Sequence, residues 1–142
     1  MEKTIDELLE TSYWIVDILP QQVPKDSPGQ YFPIAEYFSE GPPLAAIKRR
    51  HLNLILKLNC YRDISLDEEP EYNPAPARIA ETVFQRYTYI RIGDAMLLSE
   101  PDDTHMTLFH PDEELLNLVK TLAVGEGLYV WQPEDGKRED PK

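Results

Sequence analysis

The feature that most constrains this chain is a change in hydrophobic periodicity near residue 87. Before it, apolar residues recur at the three- and four-residue spacing of helices. After it, 87–92, 95–100 and 104–109 are rich in Tyr, Ile, Thr and Phe and alternate as strands do. A helix over 110–125 and a last strand over 127–133 follow. The C-terminal half is therefore predicted to be a β-β-β-α-β unit.

The order of these four strands follows from their connections. Gly93 and Asp94 suit a two-residue hairpin turn that places Ile92 opposite Ala95. A right-handed crossover through the helix makes the fourth strand parallel to the third, and we expect it to lie beside the first. The predicted fold class is α+β, with N-terminal helices packed on one face of a small mixed sheet of order 3-2-1-4. We expect one domain over 1–133 and a mobile charged tail over 134–142.

The N-terminal half is predicted to be helical. Its clearest helix, "LAAIKRRHLNLILKLNCYR", carries an apolar stripe that includes His51, which we interpret as a buried, neutral core histidine. The Lys48–Arg50 cluster is expected to pair with the chain's own carboxylates. Short helices are predicted to begin at Pro33 and near residue 77. A first helix is predicted from Thr4, which forms a capping box with Glu7, to Leu19.

From Tyr13 onward, this first helix would be apolar on nearly every side. Trp14 and Ile18 would lie opposite its main stripe, and the loop over 20–33 or a partner must cover them. We favour the loop as the cover. If a partner covers this side instead, Tyr31 and Phe32 join Trp14 and Ile18 as candidate partner-binding residues, because aromatic side chains dominate many interfaces.

Net charge narrows the classes of partner. The chain carries a formal charge of −12, which argues against binding nucleic-acid phosphates or an anionic membrane. The charge permits a basic protein partner or serves solubility alone, and solubility is the favoured explanation of the charge itself. An acidic loop contributes Glu68, Glu69 and Glu71 as further candidate partner-binding residues. The single cysteine, Cys60, cannot form an internal disulfide, and we expect a cytoplasmic location.

The chemistry-bearing residues match no established catalytic or metal-binding motif, and no cofactor or tightly bound metal is predicted. The alternative is an acid–base or metal cluster, since carboxylates and imidazoles can exchange protons or bind a divalent ion. Its residues would be Asp102, Asp103, His105 and His110. We favour a structural explanation over such a site, because Asp102 and Asp103 are ordinary turn residues and the neighbouring Asp112 and Glu113 are ordinary helix-start residues.

Two functions of different classes therefore remain. The favoured hypothesis is a non-catalytic cytoplasmic protein that binds another protein, with a homodimer as one form of that binding. The alternative is a small enzyme or ligand-binding domain with its site near His105 and His110. An acidic mimic of nucleic acid ranks lowest, because the carboxylates are scattered along the chain.

Overall fold

A computed structural model describes residues 3–138 and confirms the α+β class. The helices are α1 (Ile5–Leu8), α2 (Tyr31–Phe38), α3 (Gly41–Asn59), α4 (Pro76–Gln85) and α5 (Glu113–Gly125). The strands are β1 (Tyr13–Asp17), β2 (Ser65–Leu66), β3 (Thr88–Ile92), β4 (Ala95–Ser99), β5 (Met106–Phe109) and β6 (Tyr129–Trp131). Within the described residues, no helix combines the length and the apolar character needed to cross a membrane.

The six strands form one sheet of order β2-β3-β4-β5-β1-β6, in which every neighbouring pair is antiparallel. The predicted hairpin is confirmed, since Ile92 pairs with Ala95 and Ile90 with Leu97. The mixed sheet of order 3-2-1-4 is wrong, because β2 occupies the edge of β3 where the last strand is expected, and β6 instead pairs antiparallel with β1 at the other end of the sheet. β5 and β6 still run in the same direction, since both are antiparallel to β1.

The predicted first helix over 4–19 is also wrong beyond its first turn. The capping box is present, with the Glu7 backbone N–H donating to Thr4 and the Thr4 N–H donating to Glu7, but α1 ends at Leu8. The residues from Tyr13 form a strand, in keeping with their β-branched and aromatic side chains. A short apolar run fits a strand pattern as well as a helical one, and the helical prediction is wrong here.

The main core lies between one face of the sheet and helices α3, α4 and α5. The predicted stripe of the clearest helix is confirmed, because α3 buries a continuous row of side chains against the sheet. The buried residues of α3 are Ile47, Lys48, His51, Leu52, Leu54, Ile55 and Leu58. Val16 of β1 and Leu108 of β5 contribute to the same core from the strands.

Helices lie on both faces of the sheet, and not on one face as predicted. Leu8 of α1 packs with Met96 and Phe109 in a second, smaller core on the opposite face. Because side chains alternate along a strand, Tyr13 and Ile15 point to this second face while Trp14 and Val16 point to the main core. α1 covers only part of the second face, which leaves the β1–β6 side for the groove described below.

The chain continues past β6 with a short 3₁₀ turn over Glu134–Gly136. Gly136 is buried, and a Cβ atom there would lie only 2.3 Å from the Tyr13 carbonyl oxygen. Arg138 donates a hydrogen bond to the Leu9 carbonyl at 2.8 Å. The mobile tail over 134–142 stays a prediction: these contacts involve 134–138, and 139–142 lie outside the described residues.

Candidate functional site

α2 presents an unusual amount of aromatic surface. None of its eight residues is buried. Phe32 is 81% exposed, Tyr37 66%, and Tyr31 and Ile34 are each 46% exposed. We call these four side chains the aromatic surface. Pro33 fits the first turn of this helix, and at its C-terminal end the Ser39 hydroxyl donates to the Glu36 carbonyl at 2.7 Å.

The four aromatic and apolar residues predicted to bind a partner do not form one patch. Trp14 and Ile18 pack against the main core, and the Lys120 ammonium lies 4.9 Å from the centre of the Trp14 ring. Tyr31 and Phe32 are exposed on α2. Trp14 therefore packs within its own chain, against the main core and Lys120 of α5, and its cover by the proline-rich loop stays a prediction.

The acidic loop is held beside β3 and α4 by ion pairs. Glu69 pairs with Arg78 and Arg86, and Glu71 lies 3.6 Å from Arg78. Of the three glutamates predicted to bind a partner, only Glu68 makes no ion pair within the described part of the chain. Partner binding by this loop stays a prediction, although its own arginines neutralise two of the three charges.

The predicted cluster around His105 and His110 is divided in the structure. The two histidines flank opposite ends of β5. His110 has a positive φ of 58° and its Nδ1 lies 3.0 Å from the Asp94 carbonyl oxygen, whereas His105 is hydrogen-bonded to Asp103. Asp102 is exposed in the turn between β4 and β5, before His105. Across residues 3–138, no group of three or more His, Cys, Asp or Glu side chains is placed to hold a metal ion.

His105 instead lies at one end of a groove of about 390 Å³ on the second face of the sheet. Tyr13, Ile15 and Asp17 share this face of β1, and Trp131 follows across the sheet because it pairs with Ile15. The chain that leaves β1 forms one wall, and α2 contributes Tyr31. The groove is lined by Tyr13, Ile15, Asp17, Leu19, Gln21, Gln22, Val23, Tyr31, His105, Trp131, Pro133 and Asp135.

Asp17 is the half-buried acid of this groove. Its Oδ1 accepts a hydrogen bond from the Ile18 backbone N–H at 2.7 Å, and no cationic side chain of the described residues forms an ion pair with it. Burial raises the pKa of Asp17, and the backbone hydrogen bond and nearby His105 only partly oppose this rise. The charged form is therefore less well solvated here than in water.

His105 and Asp103 form a hydrogen-bonded pair next to Asp17, with 2.7 Å between Nδ1 and Oδ1. This hydrogen bond raises the pKa of His105. Burial alone would raise the pKa of Asp103, yet the hydrogen bond and charge of His105 outweigh it and lower that pKa to about 2. Asp103 is thus ionised at neutral pH. Glu100 shares the cluster, and its hydrogen bond with Asp103 raises the pKa of Glu100.

A buried lysine lies behind this acidic cluster, on the main-core side. Lys48 is only 2% exposed, and its Nζ donates to the Glu100 carbonyl at 2.7 Å and to the Ser99 hydroxyl at 3.0 Å. The same atom lies 3.1 Å from His51 Nδ1. Burial lowers the pKa of Lys48 to about 8 and that of His51 to about 3, which keeps His51 neutral as predicted. Lys48 is therefore buried, whereas Arg49 and Arg50, which follow it in the sequence, are exposed.

Sequence reasoning missed Asp17, Lys48 and Trp131 as parts of this region. Asp17 is the only charge between Tyr13 and Pro20, and an isolated charge in an apolar strand was the available signal. Lys48 lies three residues before His51 on the buried stripe, and that spacing could have identified it. Trp131 becomes relevant only through its pairing with β1, which the sequence pattern did not predict.

No protein-family model, curated protein or solved structure matches this chain significantly. Its function must therefore be argued from the aromatic surface and the groove. The two features meet at Tyr31, which belongs to α2 and also lines the groove.

Proposed function

We propose that this protein acts by binding another protein through the aromatic surface of α2. The observation that carries the proposal is a helix whose large apolar side chains are exposed and whose eight residues include none that is buried. Exposed apolar patches on a folded chain are typical of interaction sites. Tyr and Phe supply much contact area for little conformational entropy, which suits them to anchor a partner.

Charge defines the kind of partner. The chain has a net charge of −12, and exposed Glu36 and Glu40 lie on and beside α2. Like charges at an interface cost free energy and slow association, so an acidic partner is disfavoured. The proposed partner therefore carries an apolar patch surrounded by Lys or Arg. The cytoplasmic location predicted from the single Cys60 belongs to this proposal as well.

The test compares two double variants of the tagged chain. Phe32→Ala with Tyr37→Ala removes the two most exposed side chains of the aromatic surface. Tyr61→Ala with Tyr72→Ala is the matched control, because these tyrosines are 67% and 60% exposed elsewhere on the molecule. Proteins recovered with the wild type are purified, and their affinity for each variant is measured by calorimetry at two salt concentrations.

The proposal predicts a basic partner whose Kd rises at least tenfold for the α2 variant and less than twofold for the control. The wild-type affinity should also fall as salt is increased. Equal affinities for both double variants would contradict the assignment of the surface. Sedimentation equilibrium provides a second check, because dimerisation lost only in the α2 variant would assign the surface to a second copy of this chain.

The groove supports a second candidate function, a small ligand-binding domain or enzyme. The observation that favours it is the His105–Asp103 hydrogen bond at the groove's polar end, since such a pair can hold one tautomer and accept a proton. His110 takes no part, because it lies at the far end of β5. Saturable binding of a neutral or anionic small molecule, mapped to His105 and Trp131 by NMR, would favour this candidate.

A further inference from the structure

We propose that the groove receives a Lys or Arg side chain of the basic partner, with Asp17 as the carboxylate that pairs with it. The partner's identity as a basic protein rests on the proposed function. Three independent features of the groove support this occupant: an unpaired acid, aromatic walls and continuity with the aromatic surface.

The unpaired acid is Asp17. It is partly removed from water, yet no Lys, Arg or His of the described chain forms an ion pair with it. A half-buried carboxylate is stabilised when a cation enters its site and forms charge-assisted hydrogen bonds. A guanidinium or ammonium supplies such donors, whereas an anionic ligand would add a like charge.

The neighbouring charges do not cancel this preference. Asp135 adds a second carboxylate to the lining, and Asp103 is ionised at neutral pH. The His105–Asp103 pair therefore carries a charge of zero when His105 is protonated and of −1 when it is neutral. The carboxylates of Asp17 and Asp135 outnumber the Arg138 guanidinium beside Tyr13, so with Asp17 ionised the groove is net negative in both states.

The aromatic walls suit the same occupant. Tyr13, Tyr31 and Trp131 line the groove, and cations are attracted to the faces of aromatic rings. The chain already shows this contact at the groove's margin, because the Arg138 guanidinium lies 4.8 Å from the centre of the Tyr13 ring. Ile15 and Leu19 offer apolar area for the methylene stem of a long basic side chain.

Continuity with α2 favours a protein side chain over a free amine. Tyr31 lines the groove while its neighbours Phe32 and Ile34 extend the apolar surface outward. A partner seated on the aromatic surface would thus have the mouth of the groove beside its contact area. A basic side chain at the edge of an apolar patch is what the proposed partner would present there.

The experiment uses NMR titration of the full chain with Nα-acetyl-arginine methylamide and with its lysine counterpart. Nα-acetyl-citrulline methylamide is the control probe, since it keeps the shape of arginine without the charge. The variants are Asp17→Asn and, as a matched loss of one charge elsewhere, Asp6→Asn, which alters an exposed acid of α1. The affinity of the purified partner for both variants is measured in parallel.

The expected result is saturable shifts at the Trp131 indole N–H and Ile15 with the arginine or lysine probe and none with citrulline. Asp17→Asn should raise the Kd of the probe and of the partner at least tenfold, while Asp6→Asn changes either less than twofold. An unchanged melting temperature for Asp17→Asn would show that the loss is not caused by misfolding.

Three outcomes would overturn the inference. Binding of citrulline as tight as that of arginine would show that the groove recognises shape without charge. Probe shifts that map away from Trp131 would place the binding elsewhere. An unchanged partner affinity in Asp17→Asn, with affinity still lost in the α2 double variant, would leave the proposed function standing and remove only the role of the groove.

Discussion

Helices α2 and α3 follow one another along the chain, separated by Ser39 and Glu40, yet only α3 buries its apolar side chains. α3 lies on the sheet and buries seven residues, including a lysine and a histidine. α2 contacts α3 and buries none, although it carries Tyr31, Phe32, Ile34, Tyr37 and Phe38. The difference shows that burial here follows the position of a helix on the sheet and not its apolar content.

This contrast distinguishes two reasons why a chain carries an apolar residue at a given position. The side chains of α3 are explained by folding, because they remove apolar area from water within the chain. Most apolar side chains of α2 gain little from folding, because they remain largely in water. Substitutions in α3 should therefore destabilise the fold far more than substitutions in α2.

Leu54→Ala should destabilise the fold most. Leu54 belongs to α3 and is fully buried in the main core. Truncating such a side chain costs about 2–5 kcal/mol, through lost transfer free energy and the cavity left behind. Urea denaturation measures the change in the free energy of unfolding. A loss below about 1 kcal/mol would show that α3 is not the central helix, and its contrast with α2 would no longer hold.

Trp14→Ala should cost about 3 kcal/mol, near the lower end for tryptophan, because the ring packs on the main core but is only half-buried. The loss should not depend on protein concentration, since the ring's neighbours belong to its own chain. Thermal unfolding at several concentrations checks this. A variant that stays stable and monomeric would show that Trp14, like the exposed side chains of α2, contributes little to folding.

The sequence predicted what depends on local periodicity. The stripe of α3, the hairpin between β3 and β4 and the helix α5 all follow from residues close together in the chain. The prediction is wrong at β1, because the apolar run that follows the capping box fits a helical pattern and a strand pattern equally well. Only the insertion of β1 between β5 and β6, a non-local pairing, decides between the two.

The same reason limits what could be foreseen of the site. His105 and Asp103 were recognised as titratable neighbours, because they are two residues apart. Asp17 joins them only through the register of β1 with β5, and Lys48 reaches the end of β4 from a helix about fifty residues earlier. Exposure of Phe32 was equally unpredictable, since a short amphipathic helix can pack on a core or lie outside it.

Lys48→Met tests the one charged residue that α3 buries. Because burial lowers the pKa of Lys48 to about 8 in the folded state, the folded chain binds this proton less tightly than the unfolded chain, whose lysine titrates near 10.4. Stability should therefore rise with pH between about 8 and 10.4. Relative to Lys48→Met, the wild type should gain about 2 kcal/mol between pH 7.5 and pH 10, measured by urea denaturation. A constant difference would mean that Lys48 is hydrated.

Asp103→Asn should change the titration of His105 with a smaller effect on stability. The hydrogen bond that His105 donates to Asp103 raises the pKa of His105, so this stabilisation is present below the unfolded pKa and is lost as pH rises through the folded one. The variant should lower the titration midpoint of His105, followed by the NMR signal of its ring protons. Asp102→Asn is the control, because that exposed acid forms no hydrogen bond with His105. In this control, the titration midpoint of His105 should match that of the wild type.

The smallest effect on stability is expected for Phe32→Ala combined with Tyr37→Ala. Both side chains are mostly in water, so their removal should change the free energy of unfolding by no more than about 0.5 kcal/mol. The denaturant dependence of unfolding should also stay the same, because little buried area is lost. Urea denaturation of the double variant beside Leu54→Ala gives the two ends of the comparison in one experiment.

A loss above about 1.5 kcal/mol would mean that α2 packs on the chain in solution, and its apolar side chains would then need no partner to explain them. Unchanged stability together with lost partner binding would show the opposite. The same double variant thus decides whether α2 differs from α3 in kind, since it contributes to binding without contributing to folding. That separation is the physical content of calling α2 an interaction surface.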